Sequence, residues 1–224
     1  MQKTNRLNRC TAHSSSRGGF TLVELLVVIG IIAILAGVAL GPITAGIKKG
    51  QQSSGVQNAR SLALADFQYA NDNSQTYASG ADSGAIAATL LAGNYISDPS
   101  IFYLAGSSQT KFTGTGTIAA TNVSWDFGCQ TATSAGALNA NTPDEAPLLC
   151  STSKGSYTFP VASGTAVSIA GVDSAAPFGT IGVAVCQKSN SAKFILATSP
   201  SSGAVNLTDT TWPGYTMTMA VGGK

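Results

Sequence analysis

Gly19-Phe20-Thr21-Leu22-Val23-Glu24-Leu25-Leu26-Val27-Val28-Ile29 is the stretch on which the reading of the whole chain turns. From Leu25 to Leu40 every residue is apolar or glycine. Wound as a helix at about 1.5 Å per residue, residues 20–41 span roughly 33 Å, close to the ~30 Å hydrocarbon core of a bilayer. Residues 1–19 are polar and basic, with Lys3, Arg6, Arg9 and Arg17 and no acid. That excess holds the N-terminus on the cytoplasmic side. Lys48 and Lys49 flank the far end, two charges against four.

A secretory signal places its small-residue cleavage site after the apolar run. Here Gly18-Gly19 stands before it, so cutting there leaves the span on the finished chain. A plain membrane anchor accounts for the length but has no use for Glu24. A carboxylate central in a span costs about 2.5–3.5 kcal/mol, less near an interface. Glu24 is therefore either functional or snorkels to the headgroups.

The eleven residues quoted, together with the basic leader, closely resemble the class III signal of type IV prepilins and type II secretion pseudopilins. The match covers about the first 45 residues. The resemblance implies that prepilin peptidase cuts between Gly19 and Phe20 and that the new Phe20 amine is methylated. It implies that Glu24, fifth in the mature chain, is needed for assembly. Two departures stand out: a leader of 19 residues is long, and the proline frequent at mature position 22 is here displaced by one, to Gly41-Pro42. The implied fold is α+β, with a long N-terminal helix, its first half membrane-spanning, packed against a C-terminal antiparallel β-sheet head. The implied organisation is a leader over 1–19, a helix over 20–73 with the span at about 20–41, and a head over 74–224.

Cleavage exposes a cation on Phe20, and a buried carboxylate is far less costly beside one. Glu24 of an incoming subunit is thus expected to meet the Phe20 amine of a neighbour and set axial register. Ala33, Gly37 and Gly41 recur every four residues, a spacing that suits close helix packing, although small residues are also simply common in membrane helices. Gly41-Pro42, Gly46, Gly50 and Gly55 predict a kinked or partly melted stretch near 41–55.

Further on, helical spacing returns over 56–73, with Val56, Ala59, Ala63, Phe67 and Ala70 on the face expected to pack under a sheet. A short helix is predicted over 83–91, stopped by Gly93, with a turn over 94–99. Strands are predicted over 117–127, 156–162, 166–172, 180–187, 193–198 and 215–221, with a hairpin across Ser189-Asn190-Ser191.

Composition narrows the function. The chain of 224 residues is 44% hydrophobic but only 10% charged, against roughly 25% in ordinary globular proteins. Beyond the leader it carries eight basic and ten acidic residues and no basic cluster, which argues against a dedicated nucleic-acid surface. His13 is the only histidine and lies in the leader, so serine–histidine and cysteine–histidine catalytic devices are missing from the mature chain. No enzyme is expected. Of Cys10, Cys129, Cys150 and Cys186, the last three are far apart in sequence without a zinc pattern. Export leaves one disulfide and one spare thiol, and Cys129–Cys150 closes the shortest loop. Three buried free thiols are the other reading. No cofactor is expected, although Asp144-Glu145 allows a Ca²⁺ ion of the kind some secretion pseudopilin heads hold; a solvated loop charge is the competing reading. Expected partners are copies of itself and other pilins, prepilin peptidase, an inner-membrane assembly platform and membrane lipid. The expected location is the bacterial inner membrane for the single-pass precursor, then an extracellular or periplasmic filament. A membrane-anchored surface-binding or adhesion module is the alternative.

Overall fold

The computed structural model describes residues 19–129, 138–151, 158–159, 177–179, 181–197 and 217–220. Helix α1 covers Leu22–Asp72 and α2 covers Ser83–Ala92. Short 3-10 turns lie at Pro99–Phe102 and Ala120–Asn122. The strands are β1 Trp125–Cys129, β2 Pro147–Ser151, β3 Thr158–Phe159, β4 Gly182–Gln187, β5 Ala192–Leu196 and β6 Met217–Ala220. They form one sheet in the order β3-β6-β1-β2-β4-β5, every neighbouring pair antiparallel. The architecture is the expected α+β one of a long N-terminal helix and an antiparallel sheet.

The chain divides into two compact units, residues 1–45 and 46–224. Within the second, the C-terminal part of α1 contributes Ala59, Leu62, Ala63 and Ala70 to a core shared with Ile86, Leu90, Phe102, Trp125, Phe127, Leu149 and Val183. Alanines on the helix face let the sheet side chains approach closely. Gly55 takes this furthest: a Cβ there would stand 2.5 Å from Phe178 Cζ. Phe178 in turn packs edge-on against Phe194, with ring centroids 5.1 Å apart. Gly55 thus makes room for an aromatic ring, a role beyond the weakening of the helix that its type implies.

The buried face of α1 keeps the expected Ala59, Ala63 and Ala70, with Val56 packed against the core, but not Phe67. Phe67 is 45% exposed, whereas Asp66 is 1% exposed. At about 100° per residue, Phe67 sits roughly 80° round from Ala59 and Asp66 only about 20°, so Asp66 holds the middle of the face and Phe67 its rim. The carboxylate is accepted there because its Oδ1 receives the Ala78 N–H at 2.9 Å, giving a buried polar group a partner.

The melted stretch near 41–55 is not found: every residue there is helical, with Pro42 inside α1. Thr44 Oγ1 donates to the Gly41 carbonyl at 2.9 Å, so one carbonyl of the proline turn gains a side-chain donor. The short helix forms as predicted, begun by Asp82, whose side chain accepts from Ala85 N, and ended at Gly93. The β4–β5 hairpin is also present. One strand expectation fails in part, and one strand was not expected. Residues 117–124 are not a strand, because Asn122 turns its side chain onto the Thr110 carbonyl and the Ala119 N–H and Ser124 N donates to the Phe102 carbonyl. Strand β2 went unpredicted, because it is buried along its whole length and so lacks alternation. The strand expected over 166–172 lies outside the described residues.

Candidate functional site

The N-terminus of α1 is built by a local device. Thr21 N and Thr21 Oγ1 both donate to Glu24 Oε2 at 2.8 Å. Glu24 N donates back to Thr21 Oγ1 at 3.2 Å. This is a reciprocal capping box, satisfying backbone N–H groups that have no partner inside the helix. Thr21 is the site residue that the sequence reading missed, and the Thr-x-x-Glu spacing was the available signal. Among the described residues, Glu24 Oε1 accepts no hydrogen bond, so one carboxylate oxygen caps the helix and the other is open.

Gly19 and Phe20 precede the helix and are exposed, Phe20 at 86%. The bond between them is therefore accessible to a peptidase without unwinding α1. Among the described residues nothing lies within 4 Å of a Cβ built on Gly19, and Gly19 is not among those with a positive φ. The fold does not demand glycine at this position.

Every large apolar side chain from Leu22 to Leu40 is at least 47% exposed. The helix is long and apolar enough to cross a membrane. Contiguous apolar surface of this extent requires a lipid or protein cover. Gly30, Gly37 and Gly41 likewise meet nothing within 4 Å of a built Cβ.

The register of the sheet bears on the expected Cys129–Cys150 pairing. Asp126, not Cys129, stands opposite Cys150 in the β1–β2 register. Cys129 is three residues further along β1, about 10 Å down the strand, and a disulfide needs Cα atoms within about 7 Å. The Cys129–Cys150 bond does not fit this sheet, because the shortest loop in sequence is not the shortest path across an antiparallel pair. Cys186 is buried in β4, its Sγ 3.6 Å from the Gln187 carbonyl and 3.7 Å from Asn190 Oδ1. Burial pushes its thiol up to about 12, against a smaller opposing pull from Arg60, which leaves it unreactive.

Asp144 and Glu145 lie in the loop before β2, both exposed. Asp144 Oδ1 is 3.3 Å from Lys188 Nζ. Among the described residues no three histidine, cysteine or acidic side chains cluster. Of this acidic pair, Asp144 thus already faces an ammonium. Elsewhere in the head, a groove of about 510 Å³ is lined by Ser54, Asn58, Ser100, Tyr103, Lys111 and Phe178 among others. Its partners are hydroxyl, amide and ammonium groups, without an acid–base pair.

Against known families, residues 14–40 match the prokaryotic N-terminal methylation motif, the signal of type IV pilins and pseudopilins. No curated protein and no solved structure matches the chain. The motif and the apolar helix together describe a pilin-like, membrane-anchored precursor.

Proposed function

We propose that this chain, which carries the N-terminal signal of type IV pilins and pseudopilins, is a structural subunit of a type IV pilus or a type II secretion pseudopilus. The observation that carries the reading is the combination at one helix end: an exposed Gly19–Phe20 bond, an acid four residues on with one free oxygen, and an uncovered apolar helix behind it. Prepilin peptidase removes residues 1–19, and Phe20 becomes a methylated amine. While the precursor waits in the inner membrane, lipid covers the apolar residues. In the filament, neighbouring copies replace the lipid. An amine from a neighbour reaches Glu24 Oε1, while Oε2 keeps the helix capped. Pairing neutralises a charge that is costly in an apolar bundle, and its main effect is to fix register.

The part played by the glycines follows the same logic. Since a Cβ on Gly30, Gly37 or Gly41 would meet none of the described residues, their lack of a side chain is of use between subunits, where close helix approach strengthens packing without a hydrophobic driving force. Purified surface fractions containing filaments of this protein support the reading. A dispersed membrane monomer favours the alternative, an anchored binding module, whose ligand site would be the Asn58–Tyr103–Lys111 groove. The chain is read as non-enzymatic.

A further inference from the structure

Several polar contacts among the described residues of the head gather on one ammonium. Lys188 lies in the turn between β4 and β5, its side chain 11% exposed. Nζ donates to the Thr142 carbonyl at 2.6 Å and the Ala140 carbonyl at 3.0 Å, and stands 3.3 Å from Asp144 Oδ1. An ammonium has three donors and no acceptor, so three oxygens from a single loop match its capacity. The same turn clasps that loop through its backbone: Lys188 N donates to the Ala146 carbonyl at 2.8 Å and Ser189 N to the Asp144 carbonyl at 3.0 Å. Gln187 Nε2 adds a bond to the Glu145 carbonyl at 3.1 Å. On its other side the loop meets the segment after α1, where Tyr77 N donates to the Leu138 carbonyl at 2.9 Å and Asn139 bridges Thr76. Ala78 N then reaches Asp66 on α1. A continuous path of contacts thus runs from the hairpin turn, through residues 138–146, to the helix.

Two carbonyls and a carboxylate converging from one short loop are the donor chemistry of a hard cation. Here the cation belongs to the chain itself. A Ca²⁺ ion takes six to eight oxygens; among the described residues three converge, and the ammonium repels a second positive charge. We infer that Lys188 is the resident cation of the 138–146 loop, ordering it as a bound metal ion orders an ion-dependent loop, so that the head folds independently of divalent metal. This holds whether or not the chain polymerises.

The test is hydrogen exchange, read peptide by peptide, on the full-length protein in detergent. Wild type is compared in a chelator and in millimolar Ca²⁺, and beside Lys188→Met and Asp144→Asn. Exchange over 138–146 and the melting midpoint of wild type are expected to be the same in chelator and in Ca²⁺. Lys188→Met, which keeps the stem and removes the charge, is expected to speed exchange over 138–146 by about tenfold or more, while α2 is unchanged. Asp144→Asn keeps the ammonium and both carbonyls and is expected to have a smaller effect. Slower exchange or a higher midpoint for wild type in Ca²⁺ would overturn the inference, as would unchanged exchange in Lys188→Met. Should Lys188→Met fail to fold, the wild-type comparison decides alone.

Discussion

Glu24 receives two hydrogen bonds from Thr21, one from its backbone N–H and one from its hydroxyl, both onto the same carboxylate oxygen. The acid that the assembly model needs is therefore also the residue that closes the first turn of its own helix. The two tasks use different oxygens, and they separate by mutation.

Glu24→Gln keeps an oxygen for the cap but removes the charge. Membrane insertion and leader removal are expected to stay normal, while filaments in sheared surface fractions fall to a small fraction of wild type. Thr21→Ala does the reverse, weakening the first turn by about 1 kcal/mol while leaving the charge, so filaments should persist. Electron microscopy with immunoblotting of the two variants reads the difference, and abundant filaments from Glu24→Gln would sink the charge-pairing account.

Among the described residues, nothing lies within 4 Å of a Cβ built on Gly19. Gly19→Val is therefore expected to leave the circular dichroism of the purified protein unchanged and yet to block processing, with only the full-length precursor visible on an immunoblot. Normal cleavage of this variant would show that the peptidase does not read this position.

Gly84 carries a stricter demand. A Cβ there would lie 2.3 Å from Ala120 N and 2.5 Å from the Ala119 carbonyl carbon, and main chain cannot swing aside as a side-chain tip does. Gly84→Ala is expected to destabilise the head by roughly 2 kcal/mol or more, a fall in melting midpoint of about 4–8 °C. Gly55→Ala meets the end of the Phe178 ring instead, which tilts more easily, so the loss should be smaller. Equal midpoints for wild type and Gly84→Ala would contradict this packing.

Asp66 makes stability depend on pH. Burial pushes its carboxyl up from 3.8 to about 7, opposed by the Ala78 N–H. Because the folded value lies above the unfolded one, the associated stability is complete below about pH 4 and is lost as pH rises through about 7. Asp66→Asn keeps the oxygen that accepts from Ala78 and cannot ionise. It is expected to match wild type near pH 4 and to exceed it by about 2–4 kcal/mol at pH 8 and above. Chemical denaturation at the two pH values measures this, and parallel curves would mean that Asp66 is not ionising within the fold.

How far the sequence could be read depended on the range of the interactions involved. The N-terminal methylation motif over residues 14–40 was legible because a leader, an acid and an apolar run follow one another in fixed register, and Gly93 marked the end of α2 because caps are local. Thr21 was overlooked although its spacing to Glu24 is a local signal too. Strand β2 was hidden because burial on both faces erases alternation. The rotation that put Asp66 inside and Phe67 at the rim depends on what packs against α1, and no periodicity within the helix carries that. The Cys129–Cys150 pairing failed for the same reason, since register is a property of two strands and not of one loop length. Lys188 gathers its oxygens from a loop more than forty residues earlier in the chain, a distance over which sequence spacing says nothing.

Filament assembly through Glu24 depends most directly on what the finished N-terminus is. Mass spectrometry of the N-terminal peptide from protein isolated from the cell envelope or surface answers this in one experiment. The expected result is a chain that begins at Phe20, carries one added methyl group on its amine and retains residues 20–41. A native chain that begins elsewhere, or that has lost the apolar segment, would contradict the account.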